Sequence, residues 1–313
     1  MYDIIGDVHG HAQLLKKLLL ELGYEKTDGG YSHPDRKAVF VGDFINRGPQ
    51  IRKTIRIIRK MVESGNALAV LGNHEVNIII SYLKDKKGNP LVKPPLKNFL
   101  SGLKTFNEFA DAPEEWQSNL RWLRTLPLFL DLDGIRVVHA CWSDLAVEFV
   151  KNNLPPGKIK KEVFKKIYKS PGSELAKNIW LLTKGLQFKM PGDLKIINNK
   201  GVSPRSFRMR WWEDPKGKTF EELSFESKFS LPEYTVPPEI TPESLPYPPD
   251  APIVFFGHYC RGNGPHIIKA NICCLDGCIV GKKTLLAYRW NGETSLNPEN
   301  LVKIQKISPS KTL

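Results

Sequence analysis

The chain has 313 residues, 41% of them hydrophobic and 25% charged, with 46 Lys and Arg against 33 Asp and Glu for a net charge of +13. That balance excludes a disordered tail, and no apolar run approaches the roughly 18 residues that cross a bilayer. The opening MYDIIGDVHG lacks a basic stretch ahead of a long apolar one, so no signal peptide and no membrane partner are expected, and the expected location is cytoplasmic.

In chain order, the first 80 residues repeat an apolar strand, a polar turn and a helix. Tyr2–Ile5 reads as a strand ending at GDVHGH, and 12–22 has helical periodicity closed by Gly23. A second strand over 38–41 ends at GDFINRG and leads into a helix over 50–63. A third over 67–71 ends at GNHE before a helical stretch at 76–83. Strands alternating with helices imply parallel strands, whose carboxyl ends are where ligands gather. Residues 84–127 read as mostly helical after a Lys/Gly/Pro loop, and 128–131 with 135–139 as a hairpin around Asp133-Gly134. Residues 150–200 read as helical and basic. Eight of the 24 prolines crowd into 231–252, a segment expected to cover the surface in extended form. Beyond it, 253–256 is a buried-type strand ending in GHY, and 267–275 and 285–290 are expected as late antiparallel strands. The expected organisation is one domain over 1–313, with rim insertions at 84–127 and 150–252.

Five cysteines, three of them in NICCLDGC, offer no second CxxC to complete a zinc knuckle and are expected as reduced thiols. The run 151–169 holds seven lysines and one glutamate, and 51–60 places Ile51, Ile55 and Ile58 on one helical face with Lys and Arg on the other. Both read first as solvated faces and second as anion attractors. Nucleic acid is a conceivable partner on charge alone.

The chemistry gathers at the strand ends: Asp7 and His9, Asp43, Asn73 and His74, His139, and His258. Burying an aspartate among imidazoles and other carboxylates is costly unless a cation pairs with it, and five segments repeat that choice. The series GDVHGH, GDFINRG, GNHE, VHA, GHY over residues 6 to 259 resembles the calcineurin-like metallophosphoesterase superfamily. The similarity is to its branch of PPP-type protein phosphatases and bacterial diadenosine-tetraphosphatases. That resemblance implies a four-layer α/β/β/α sandwich and two divalent metal ions, Mn2+ foremost, with Fe, Zn or Ni as alternatives. It makes Asp7 and His9 ligands of one metal, Asp43 the bridge, and Asn73, His139 and His258 ligands of the other. It implies in-line attack on phosphorus by a metal-bridging hydroxide, with His74 protonating the leaving oxygen and Arg47 holding the phosphoryl oxygens.

One position departs from the protein phosphatases, which carry aspartate where this chain has Asn46. An amide does not raise the pKa of a histidine as a carboxylate does, so leaving groups that need little protonation should suffer least. This tilts the expected substrate toward nucleotide phosphoanhydrides such as dinucleoside polyphosphates, or toward phosphomonoesters. Protein phosphoserine and phosphothreonine stand as the alternative, and a non-catalytic or nucleic-acid-binding scaffold as the remote one. Either way the partner is an anionic phosphorylated molecule. A second phosphate-binding arginine is expected among Arg208, Arg210 and Arg261, and Trp211 and Trp212 are either core residues or a stacking platform for a base.

Overall fold

The computed structural model describes residues 1–92, 96–155, 157–190, 206–225, 231, 233–241, 246–261 and 264–305, and for 96–101 the backbone alone. The described chain divides into two compact units, residues 1–183 with 252–313, and residues 184–251.

The first unit opens as the periodicity demands. Strand β1 (Tyr2–Ile5) leads to helix α1 (Ala12–Glu21), and a short hairpin, β2 (Glu25–Thr27) and β3 (Gly30–Ser32), follows. Then come β4 (Lys37–Phe40), α2 (Ile51–Glu63), β5 (Ala67–Ala69) and α3 (Asn73–Ser81). Helices α4 (Leu96–Glu108) and α5 (Pro113–Leu123) precede the hairpin β6 (Phe129–Leu132) and β7 (Ile135–Val138). Gly134 closes that hairpin at φ 84°, a left-handed value that a side chain would strain. Helices α6 (Asp144–Asn153), α7 (Lys161–Lys169) and α8 (Glu174–Lys184) complete this half.

In the second unit, β8 (Gln187–Lys189) pairs antiparallel with β9 (Ser206–Arg208), and α9 (Phe220–Leu223) follows. Its apolar cluster joins Phe188, Phe207, Met209, Phe220, Leu223 and Val236. Trp211 and Trp212 are buried at 3% and 1% exposure, edge to face with one another, and so serve as core aromatics. The expected helical run to residue 200 stops short, because 187–189 is strand; residues 191–200 lie outside the described residues, as do 232 and 242–245 of the proline-rich segment.

The chain then returns to the first unit through β10 (Ile253–Phe256), β11 (Ile267–Lys269), β12 (Ile272–Cys274), α10 (Ile279–Lys282), β13 (Thr284–Trp290) and β14 (Leu301–Gln305). The single strand expected over 267–275 is a hairpin, and β12 runs parallel to β10 rather than antiparallel. Two five-stranded sheets result, ordered β14-β13-β1-β4-β5 and β11-β12-β10-β7-β6. Strands β1, β4 and β5 are parallel, and so are β7, β10 and β12.

The sheets share one core: Ile4, Val39 and Val70 from the first meet Val137, Phe255 and Cys273 from the second, each at most 1% exposed. Removing these side chains from water supplies the adhesion between the sheets. Helices α1 and α2 cover the first sheet. Each sheet therefore aims three adjacent parallel strands toward the same task, delivering polar residues from their carboxyl ends.

Candidate metal and phosphate site

The first sheet delivers Asp7 after β1, Asp43 after β4 and Asn73 with His74 after β5. The second delivers His139 after β7, His258 after β10 and, from β12, Asp276. Asp7, His9, Asp43, His74 and His139 are buried at 0–6% exposure. Asp43 is the hub. Its Oδ2 lies 3.5 Å from Nε2 of His9 and 3.9 Å from Nε2 of His74, and its Oδ1 lies 3.4 Å from Nε2 of His139. The Asn73 Oδ1 is 3.1 Å from the same His139 nitrogen. The Asp7 carboxylate accepts the His258 backbone N–H at 3.1 Å, and the rings of His139 and His258 lie 5.3 Å apart.

Backbone geometry at the site is unusual. Among the described residues, His9, Asp43, Asn46, Arg47 and His258 are five of seven non-glycine residues with left-handed φ. Such conformations cost about 1–3 kcal/mol each and persist where surrounding structure enforces them. The enforcement is visible at Glu75, fully buried on the first turn of α3. Its carboxylate accepts the N–H groups of Gly72, Asp43 and Phe44 at 2.9–3.0 Å and of Ile45 at 3.3 Å. Burial pushes its pKa up, aided by Asp43, while those backbone donors favour the charged form. Glu75 thus pins the GDFIN loop to the start of α3.

The histidines are distinguished by what their other nitrogens touch. Nδ1 of His9 is 3.0 Å from the Ile45 carbonyl, and Nδ1 of His139 is 2.8 Å from the Val41 carbonyl. A carbonyl only accepts, so both Nδ1 atoms carry a hydrogen, and both Nε2 atoms, aimed at Asp43, are the positions where a metal would take the place of a proton. This is the arrangement by which second partners orient metal-binding imidazoles. His74 is the reverse. The Thr105 hydroxyl accepts from the Asn46 N–H at 3.2 Å and donates to Asn46 Oδ1. That fixes the amide with Nδ2 toward His74, 2.6 Å from Nδ1. Nδ1 of His74 must then accept, and its hydrogen sits on Nε2. So His74, although grouped with His9 and Asp43 by proximity, has no lone pair to offer there.

The charges call for cations. Burial, then Asp276, then Asp43 hold the Asp7 carboxyl well above its usual range. Burial also opposes ionisation of Asp43, but His139, His74 and His9 hold it well below that range. Burial drives the pKa of His74 down to about 3, with Asp43 opposing and His9 and Arg47 assisting. Burial opposes protonation of His139 too, yet Asp43 and Asp7 carry it to about 10. Converging carboxylates with imidazole Nε2 atoms aimed between them fit divalent metals, which would replace the protons now sharing that charge. The donor set, oxygen and imidazole without thiolate, suits Mn, Fe, Zn or Ni.

The remaining expected residues separate by place. Arg47 is exposed, two residues before the turn into α2, and its carbonyl accepts from Lys104 at 2.8 Å. Arg261 lies in the first unit, three residues beyond His258, where its charge acts on His266 and Cys274. Arg208 and Arg210 belong to the second unit, and the Arg208 guanidinium stacks over Phe225 at 5.4 Å. Two residues escaped the sequence reading. Thr105 gives no local signal. Asp276 is buried at 7% exposure, with Oδ1 accepting the Cys278 N–H at 2.8 Å. An apolar strand ending in Asp-Gly announced Asp276, but the crowd of cysteines around it drew the attention. Those cysteines also bring a correction: Cys260 and Cys278 form a disulfide, because the loops after β10 and β12 meet, whereas Cys141, Cys273 and Cys274 are buried free thiols.

Residues 2–262 match the family described as Calcineurin-like phosphoesterase. The chain belongs to that family. It is similar to the asymmetrical bis(5'-nucleosyl)-tetraphosphatase PrpE of Oceanobacillus iheyensis, 34% identical over 145 residues, covering 44% of this chain and 54% of the relative. The PrpE of Halalkalibacterium halodurans is 41% identical over 108 residues, covering 34% and 43%. The chain spans about half the length of the curated relatives it matches. Among solved structures, a Saccharomyces cerevisiae protein serine/threonine phosphatase aligns at TM-score 0.48 and 12% identity, covering 98% of this chain and 80% of that one. A cold-active protein-tyrosine phosphatase of Shewanella aligns at TM-score 0.48 and 14% identity, covering 97% and 80%.

Proposed function

We propose that the chain is a metal-dependent phosphohydrolase that cleaves nucleotide phosphoanhydrides, with dinucleoside polyphosphates as the leading substrate. The family membership and the tetraphosphatase names of the curated relatives support the class. The observation that carries the substrate choice is the Thr105–Asn46–His74 chain of hydrogen bonds.

Asp7, His9, Asp43, Asn73, His139 and His258 would hold two divalent cations, which when bound supply charge for the phosphoryl oxygens and a nucleophile at neutral pH. The chain itself does the rest. Arg47 extends a planar, permanently charged fork whose guanidinium has no partner among the described residues, suited to two phosphoryl oxygens. His74 offers the hydrogen on Nε2 to the leaving oxygen. As a neutral imidazole it is a hydrogen-bond donor but a poor acid, since its imidazolium would place a second donor against the Asn46 amide. A leaving alkoxide needs a full proton, whereas a leaving nucleotide phosphate departs with its charge spread over its own oxygens. The site therefore favours anhydrides.

The test is hydrolysis by Mn2+-reconstituted protein of diadenosine tetraphosphate, p-nitrophenyl phosphate and a phosphothreonine peptide, side by side. The dinucleotide should have the highest kcat/KM and the peptide the lowest. A peptide preferred over both would overturn the anhydride reading in favour of a protein phosphatase.

A further inference from the structure

On the same sheet edge as Asp7, a crevice of about 570 Å³ opens between the start of α1, the turn into α2 and the end of β14. Strand β14 runs parallel to β1 through its antiparallel partner β13, so Gln305, its last residue, belongs to the edge from which Asp7 emerges. The crevice and the candidate metal pocket share a wall. The Gln50 N–H donates to the Gly10 carbonyl at 2.9 Å, and a Cβ on Gly48 would lie 1.9 Å from the His9 carbonyl oxygen. His11 and Gln50 line the crevice, while His9, two residues before His11, turns its Nε2 to Asp43.

The lining has a particular chemistry. Leu14 and Pro49 offer apolar walls. His11 is buried at 7% exposure, and its Nδ1 hydrogen-bonds the Val8 carbonyl at 3.1 Å. Nδ1 must therefore carry the hydrogen, which leaves Nε2 as an acceptor without a partner among the described residues, on a ring that lines the crevice. Gln13, Gln50 and Gln305 add amides that each donate and accept, and among the described lining residues Lys17 is the one cation. Flat apolar walls, a lone acceptor and paired amide donors and acceptors match a heteroaromatic ring edged with N–H groups. The volume falls within the range of small-molecule sites, about 300–1,000 Å³.

The geometry points to this crevice as the subsite for a purine base of the substrate, placed so that the phosphate chain attached to it runs past the Gly10–Gly48 wall to Arg47. This rests on the phosphoanhydride reading above and adds to it the place where a nucleoside is held.

The test uses Gln13→Trp, which fills the crevice from an exposed position of α1, and the double variant Gln50→Ala/Gln305→Ala, whose side chains lie outside the core. In each, KM for diadenosine tetraphosphate should rise about tenfold relative to KM for p-nitrophenyl phosphate, as loss of one or two net hydrogen bonds predicts. Adenosine, which carries no phosphate, should inhibit dinucleotide hydrolysis competitively in wild type and lose that effect in Gln13→Trp. An unchanged KM ratio in both variants overturns the subsite, even if adenosine binds elsewhere. If wild type does not cleave the dinucleotide, the substrate reading fails. Equilibrium dialysis of adenosine then decides the crevice separately: binding lost in Gln13→Trp supports a base site, and no binding to wild type overturns it.

Discussion

At the scale of single residues, the separation of roles among the buried histidines comes from backbone carbonyls and one amide. Two imidazoles donate from Nδ1 to carbonyls and turn Nε2 toward Asp43, where a metal would replace a proton, while His74 accepts at Nδ1 from Asn46. The Thr105 hydroxyl holds the amide that way round. Thr105→Val removes the lock and lets Asn46 turn its oxygen toward His74, and Asn46→Asp supplies a carboxylate outright. Both changes favour a hydrogen on Nδ1 and so the imidazolium, raising the His74 pKa from about 3. The basic limb of kcat for alkyl phosphates should then move to higher pH. Relative to diadenosine tetraphosphate, phosphothreonine peptide turnover should rise by about a hundredfold in Asn46→Asp, the low end of what a positioned acid contributes, and by less in Thr105→Val. Steady-state kinetics across pH 5–9 would show this, and an unaltered substrate ratio in both would mean that His74 does not discriminate among leaving groups.

At the scale of elements, α2 shows how a charge pattern acquires a partner. Its basic face, expected to be solvated, is engaged instead by α4 and α5. Glu108 accepts the N–H groups of Ile51 and Arg52 at 2.8 and 2.9 Å, satisfying two of the free donors at the helix start. Glu115 receives Arg56 at 2.7 Å and Arg52 at 2.6 Å, and Arg59 reaches Asn119 at 2.9 Å. The Arg56 hydrogen bonds, with Arg52 beside them, hold the Glu115 carboxyl at about 2 against the usual 4.5. A depressed carboxylate contributes stability above its unfolded pKa, and that contribution fades as pH falls through the folded value. After screening at a partly exposed site the contribution is about 1 kcal/mol. Glu115→Gln should therefore lower the urea midpoint at pH 7 and lose most of that difference by pH 2.5. An equal difference at both pH values would show that the pair acts through packing instead of charge.

At the scale of the whole molecule, the first unit is built on two five-stranded sheets whose parallel strands deliver the candidate site residues from their carboxyl ends, and much of that was legible in the sequence. Apolar runs ending in Gly-Asp, Gly-Asn-His or Gly-His located β1, β4, β5 and β10, and the sites at their ends, because buried parallel strands must finish in residues that tolerate convergence. What stayed hidden depends on distant partners. The Cys260–Cys278 pairing, the parallel sense of β12, and Thr105 reaching Asn46 across 59 positions have no local signature. Glu115 likewise sits far in sequence from the arginines it neutralises. The second unit, 184–251, builds its aromatic core from Phe188, Phe207 and Phe220, upstream of the 231–252 segment whose prolines suggested an extended covering, and among the described residues of that segment only Val236 joins it as a buried member.

The division of labour among the histidines is tested most directly by counting metal. Protein stripped with chelator and dialysed against Mn2+ should bind two ions per chain by elemental analysis. His74→Ala should also bind two, since its Nε2 holds a hydrogen and no lone pair, while Asp43→Asn and His139→Ala should each bind fewer. Loss of an ion from His74→Ala, or two ions retained in His139→Ala, would contradict the assignment of ligand and donor drawn from their hydrogen bonds.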